Sequence, residues 1–144
     1  MSAKPAQVTY QLLPGPVGKL LQGTYSTTAR VPISPSCSLV YTTGHVGLDV
    51  ESGKLVAISL EAEFDAVFSC LDAALKNAGV ANGCGGAFKF VSYLTNADCE
   101  ATMQEVFKAR WPGHFPTWTT VLVTEIAGAS HMHAEIAAEA ATCH

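Results

Sequence analysis

The stretch from Ser59 to Gly79, SLEAEFDAVFSCLDAALKNAG, constrains the fold more than any other part of this chain. Phe64, Val67, Phe68, Leu71, Ala74, Leu75 and Ala78 recur at the three- and four-residue spacing of one helix face, which predicts an amphipathic helix. Ser59 can cap its first turn and Gly79 can stop it. An apolar stripe of that width has to be buried against other elements. The rest of the chain offers mostly strands to bury it against.

SLVYTTGHV, GKLVAI, AFKFVSYLT, WTTVLVT and MHAEIAA are short, β-branched or alternating, and bounded by Gly, Pro, Ser or Asn. DVESGKLV reads as a hairpin turn between the first two, and VTYQLL as an added edge strand. A second helix is expected in NADCEATMQEVFKARWPG, capped by Asn96, with Met103, Val106 and Phe107 inward and Pro112-Gly113 ending it. Strands, helix, strand, helix, strands is the order of an α+β fold with two helices on one face of a mixed sheet. Two helices cannot cover both faces of such a sheet. The second face, apolar in several strands, predicts a homo-oligomer.

Composition narrows the function. The chain has 144 residues, which fits one domain over residues 1–144. It is 49% hydrophobic and only 14% charged. Its 8 Lys+Arg stand against 12 Asp+Glu, for a net charge of -4. Without a basic run, nucleic acid is not an expected partner. No run approaches the ~20 apolar residues of a spanning helix, so no membrane partner is expected. MSAKPAQVTYQLLPG lacks the apolar core of a signal peptide and the pattern of a transit peptide. Five cysteines, an odd number with no C-x-x-C pair, read as reduced thiols in a cytoplasmic protein rather than a disulfide framework or zinc site. NGCGGAF has glycines but no P-loop Lys-Ser/Thr, and reads as a flexible loop. Cys84, within it, has no base evident in the sequence that would make it a nucleophile.

Five segments in order carry a family resemblance: GTYSTTA (23–29), LVYTTGHVGLDVESGKLV (39–56), AFKFVSYLTNADCEATMQEVFKARW (87–111), FPTWTTVLV (115–123) and MHAEIAA (132–138). Together they resemble the RidA/YjgF family, the reactive intermediate deaminases. The resemblance implies a chorismate-mutase-like α+β fold and a homotrimer around a central barrel. It implies sites in clefts between subunits, and hydrolysis of enamines and imines with no metal or organic cofactor.

Tyr25 matches the tyrosine of the family's P-Y-S, and Gly44 the glycine of its S-G-Q, with His45 replacing the glutamine. The family's P-A-R-[ST] arginine, which clamps the substrate carboxylate, is matched by Trp118, and Thr120 falls where some members have cysteine. Counted without a gap, the first glutamate of E-I-E falls on His133 and the second on Glu135. An indole has one N–H and no charge, whereas the arginine it replaces binds a carboxylate bidentately. Little deaminase activity on small imino acids is therefore expected.

Strand alternation sets Trp118, Thr120, Leu122 and Thr124 on one face, and a tryptophan beside threonines suits a cleft wall better than a closed core. His131, His133 and Glu135 share a face of the last strand, but no further ligands are evident, so no metal site is expected. The site so read has catalytic His133, Glu135 and Tyr25, with Trp118, Thr120, His45 and Gly44 binding substrate. His133 would move a proton, and Glu135 would orient it or carry a proton itself. Trp118 would stack on the substrate and Thr120 would offer it a hydrogen bond. The expected reaction is an acid/base isomerisation, tautomerisation or cyclisation of a neutral unsaturated carbonyl or imine compound, in specialised metabolism. The alternatives are a non-catalytic trimer that binds a metabolite or protein, and an imine hydrolase of altered scope.

Overall fold

The computed structural model describes residues 7–144. Residues 1–6, part of the segment expected to carry no targeting signal, lie outside it. The strands are β1 (Thr9–Gln11), β2 (Thr28–Pro32), β3 (Cys37–Thr42), β4 (Ala87–Leu94), β5 (Thr117–Leu122) and β6 (Ala134–Cys143). They form one sheet in the order β1-β2-β3-β6-β4-β5. Every pairing is antiparallel except the parallel β4–β5 pair. The sheet is therefore mixed, and VTYQLL does supply the edge strand β1.

The helices are α1 (Pro16–Lys19), α2 (Leu60–Asn77) and α3 (Cys99–Arg110). Helix α2 has the expected ends: the Ser59 hydroxyl accepts from the Ala62 N–H, and Gly79 takes φ +99°. Its Phe64, Val67, Phe68, Leu71 and Leu75 pack with Val40, Phe90, Leu94, Ala134 and Ile136 of the sheet and with Met103 and Phe107 of α3. All are essentially buried, and each large side chain contributes about 1.5–3 kcal/mol by leaving water. Both long helices thus cover one face. Leu39, Val91, Tyr93, Glu135 and Ala137 alternate onto the other, where neither long helix reaches and burial is only partial.

Several expectations change. Helix α3 starts at Cys99; Asn96 does not cap it, and its Oδ1 instead accepts from the Asp98 N–H in the preceding turn. The turn in DVESGKLV forms around Asp49, which accepts from the Glu51 and Ser52 N–H groups. The strand expected after it shrinks to a Leu48–Leu55 bridge. NGCGGAF is not a loose loop: Gly83–Gly86 is a tight helical turn with Gly83 and Cys84 buried, held by the Cys84 N–H on Asp72 Oδ1.

The reduced-thiol expectation fails for two cysteines. Cys37 and Cys143 form a disulfide. They are opposed residues of neighbouring strands, 4.1 Å apart at Cα, and a separation of 106 residues hides that adjacency in the sequence. Cys70, Cys84 and Cys99 are buried free thiols. No helix among the described residues is long and apolar enough to cross a membrane.

Candidate functional site

Apart from His133, the site residues singled out in the sequence fall into two places on opposite faces of the sheet. The first is a cleft of about 520 Å³ between the 20–25 segment, the turn after β3 and the start of β6. Tyr25, Thr43, Gly44, His45 and Glu135 line it, with Leu20, Leu21, Val46 and Leu48 as apolar walls.

Gly44 has a steric reason to be glycine: a Cβ there would stand 2.8 Å from the Glu135 carboxyl carbon. The Glu135 side chain thus lies directly across Gly44. The carboxyl is half-buried, and burial raises its pKa above the ordinary value. No Lys or Arg lines this cleft among the described residues. His45 is joined to Ile136 by a pair of backbone hydrogen bonds, which seats it in the sheet extension beside β6. Its imidazole is buried and faces the Thr43 carbonyl through Nδ1, 3.0 Å away. Burial lowers its pKa, so the ring is neutral near pH 7, Nδ1–H donates, and Nε2 is an acceptor with no partner among the described residues.

The second place is a groove of about 380 Å³ between α3 and β5, on the helix-covered face. Trp118, Thr120, Met103, Phe107 and His114 line it. Trp118 is both wall and core. It stacks on Phe90 at 4.6 Å and meets Phe107 edge-on at 5.0 Å. Its Nε1–H donates to Ser92 Oγ at 3.0 Å. Thr120 donates to Glu100 Oε1 at 2.9 Å, and its own oxygen lies 2.9 Å from Ser92 Oγ. The Ser92 hydroxyl must then donate to Thr120. Trp118, Ser92, Thr120 and Glu100 form one directed chain that ends on a carboxylate. The hydrogen bond expected from Thr120 to a substrate is already spent inside the fold.

His133 lies in neither place. Its Nδ1 is 2.8 Å from Glu63 Oε2, and its backbone N–H donates to Glu63 Oε1 at 2.6 Å. Glu63 is a buried carboxylate on α2 that no motif in the sequence marks. Its only signal was a charge next to Phe64 in the helix's apolar stripe. Counting without a gap put the cleft glutamate at His133; in the structure, the carboxyl against Gly44 is that of Glu135. Among the described residues no cluster of His, Cys, Asp or Glu could hold a metal ion. Burial raises the Cys84 thiol pKa, which disfavours the thiolate a nucleophile needs.

A family model described as endoribonuclease L-PSP matches residues 22–142. The chain belongs to that family, which is also the RidA/YjgF family. Three solved family folds illustrate the likeness. The first, a putative endoribonuclease L-PSP from Entamoeba histolytica, is 19% identical with a TM-score of 0.76, over 93% of this chain and 98% of that one. RidA from a Psychrobacter species is 26% identical with a TM-score of 0.71, over 92% and 97%. TdcF from E. coli, solved with bound serine, is 24% identical with a TM-score of 0.69, over 92% and 95%. No curated protein sequence matches this chain.

Proposed function

We propose that this family member is a cofactor-independent enzyme that moves a proton on a neutral unsaturated carbonyl or imine compound, with Glu135 as the proton carrier. The observation behind this is the Glu135 carboxyl, half-buried against Gly44 in a cleft with apolar walls and no lining cation. A desolvated carboxylate is a stronger base than one in water. It would take a proton from the carbon next to the carbonyl and return it to another carbon of the conjugated system, giving an isomerised or tautomerised product. The Tyr25 hydroxyl would donate to the carbonyl oxygen as charge builds there. A substrate carboxylate would meet Glu135 with no cation to balance it, so a serine-like ligand fits poorly. Cleavage of RNA fits poorly as well, because it calls for a cationic face and the chain carries a net charge of -4.

The test needs no known substrate. Neutral β,γ-unsaturated ketones in heavy water should take up deuterium next to the carbonyl when the protein is added. Glu135→Gln should slow this uptake roughly a hundredfold. The base form is the active one, so the rate should climb with pH through a midpoint above the ordinary carboxyl value of 4.5. Undiminished uptake by Glu135→Gln would sink the reading. Retained binding without any uptake in the wild type would favour a metabolite-binding protein instead.

We further propose a homotrimer, with the uncovered sheet face as the contact. The Trp118 groove and the Glu135 cleft lie on opposite faces of one sheet, so both can serve one ligand only across a subunit boundary. Light scattering should report three copies; a monomer at working concentration would separate the two places for good.

A further inference from the structure

Strand β6 has an unusual problem of register. It reads AEIAAEAATC, and its alanines occupy both faces: Ala134, Ala138 and Ala140 are buried, while Ala137 is half-buried and Ala141 exposed. Alternation of apolar and polar side chains normally fixes which face is which. Here only Ile136 is a large apolar anchor on the core side. The Cys37–Cys143 disulfide pins the far end of the strand. A strand pinned only there could still take up a bulge among its alanines, and one inserted residue would turn Glu135 from the cleft into the core.

We propose that Glu63 is a positioning residue that locks the start of β6 and thereby sets Glu135 in the cleft. Its Oε1 accepts from the N–H groups of His133 and Ala134, at 2.6 and 3.2 Å, and its Oε2 lies 2.8 Å from His133 Nδ1. The two residues held are the two that precede Glu135. Glu63 itself is 2% exposed on α2, whose Phe64, Val67, Phe68, Leu71 and Leu75 are all in the core. A buried carboxylate with three donors is costly to place, and its best-supported use is to specify register. The same contact orders His133: with Nδ1 committed to Glu63, only Nε2 of the half-exposed ring remains free. Glu63 also packs against Gly47, where a Cβ would stand 2.9 Å from its Cγ, so the turn after β3 and the start of β6 share one anchor.

For chemistry the inference rests on the proton-transfer reading, but its test does not. Glu135 carbon NMR titration reads where the side chain sits, whether or not it moves a proton. In Glu63→Leu the Glu135 titration should move away from its wild-type midpoint, upward where a bulge turns the carboxyl into the core. Amide hydrogen exchange at Ala134, Glu135 and Ile136 should speed up by at least roughly tenfold, with protection in α2 retained. Glu63→Gln keeps a carbonyl oxygen for both backbone donors and should preserve both readings. It would also force His133 to accept at Nδ1. An unchanged Glu135 titration in Glu63→Leu would overturn the lock. Should that variant not fold, the wild type decides: the His133 and Ala134 amides must exchange as slowly as the interior of β6, and loop-like exchange there overturns the proposal. Undiminished deuterium uptake in Glu135→Gln would strike the reaction alone and leave the lock standing.

Discussion

Trp118→Ala is expected to lower the unfolding free energy by about 3 kcal/mol, the lower end for a large aromatic removed from a core because part of the ring faces the groove. The loss has three parts. The stacked contact with Phe90 goes, the edge contacts with Phe68 and Phe107 go, and Ser92 loses its donor. Trp118→Arg is the more telling change, because it writes the deaminases' clamp residue into this chain. It should destabilise further, since a guanidinium would stand where the indole meets three phenylalanine rings. Its nearest evident partner is Glu100, which already terminates the Thr120 hydroxyl chain. Thermal melts should therefore fall for both variants, and Trp118→Arg should gain no hydrolysis of iminobutanoate. A stable, hydrolytic Trp118→Arg would show that the indole is a simple stand-in for the arginine and that the core argument is mistaken.

How far the sequence reaches is visible residue by residue. Helix α2 was legible because its stripe, its serine cap and its glycine stop agree, and local signals that agree are what a sequence states best. The face shared by Trp118 and Thr120 was legible from alternation; they pair with Phe90 and Ser92 as alternation requires. Which face the helices would cover was not, since period-two patterning is blind to the layer above. That is why Trp118 read as a cleft wall and proved also to be core. Alternation puts His133 and Glu135 on one side, so no periodicity separates them, yet His133 precedes β6 and its ring turns to α2. What separates them is a contact 70 residues away in sequence, from Glu63 on α2. Helix α1 went unread because four residues carry too little pattern to register.

The cysteine arithmetic failed for a topological reason, and the failure carries the second large prediction. Strands β3 and β6 are antiparallel neighbours, so the start of one meets the end of the other. Closing a loop of 106 residues removes about 4–5 kcal/mol of chain entropy from the unfolded state in the loop-entropy account, within the 2–5 kcal/mol seen when native disulfides are lost. Reduction, or Cys143→Ser, should therefore lower the melting temperature by on the order of 10 °C. The tail has two weaker ties to replace the bond: the His144 N–H on the Ser36 carbonyl and the Arg30 guanidinium at His144 Nδ1. Neither holds the unfolded chain, so neither offsets the lost entropy. Cys70, Cys84 and Cys99 are buried, and burial raises the Cys70 thiol to about 11. In the native state, alkylation after reduction should reach Cys37 and Cys143 first. Mass spectrometry of the unreduced protein should find three alkylatable thiols after unfolding. Five would refute the bond, and so would a reductant that leaves the melt unchanged. The result also bears on compartment. The cytoplasmic expectation was drawn from reduced cysteines, and a bond that persists as isolated would point to an oxidising setting instead.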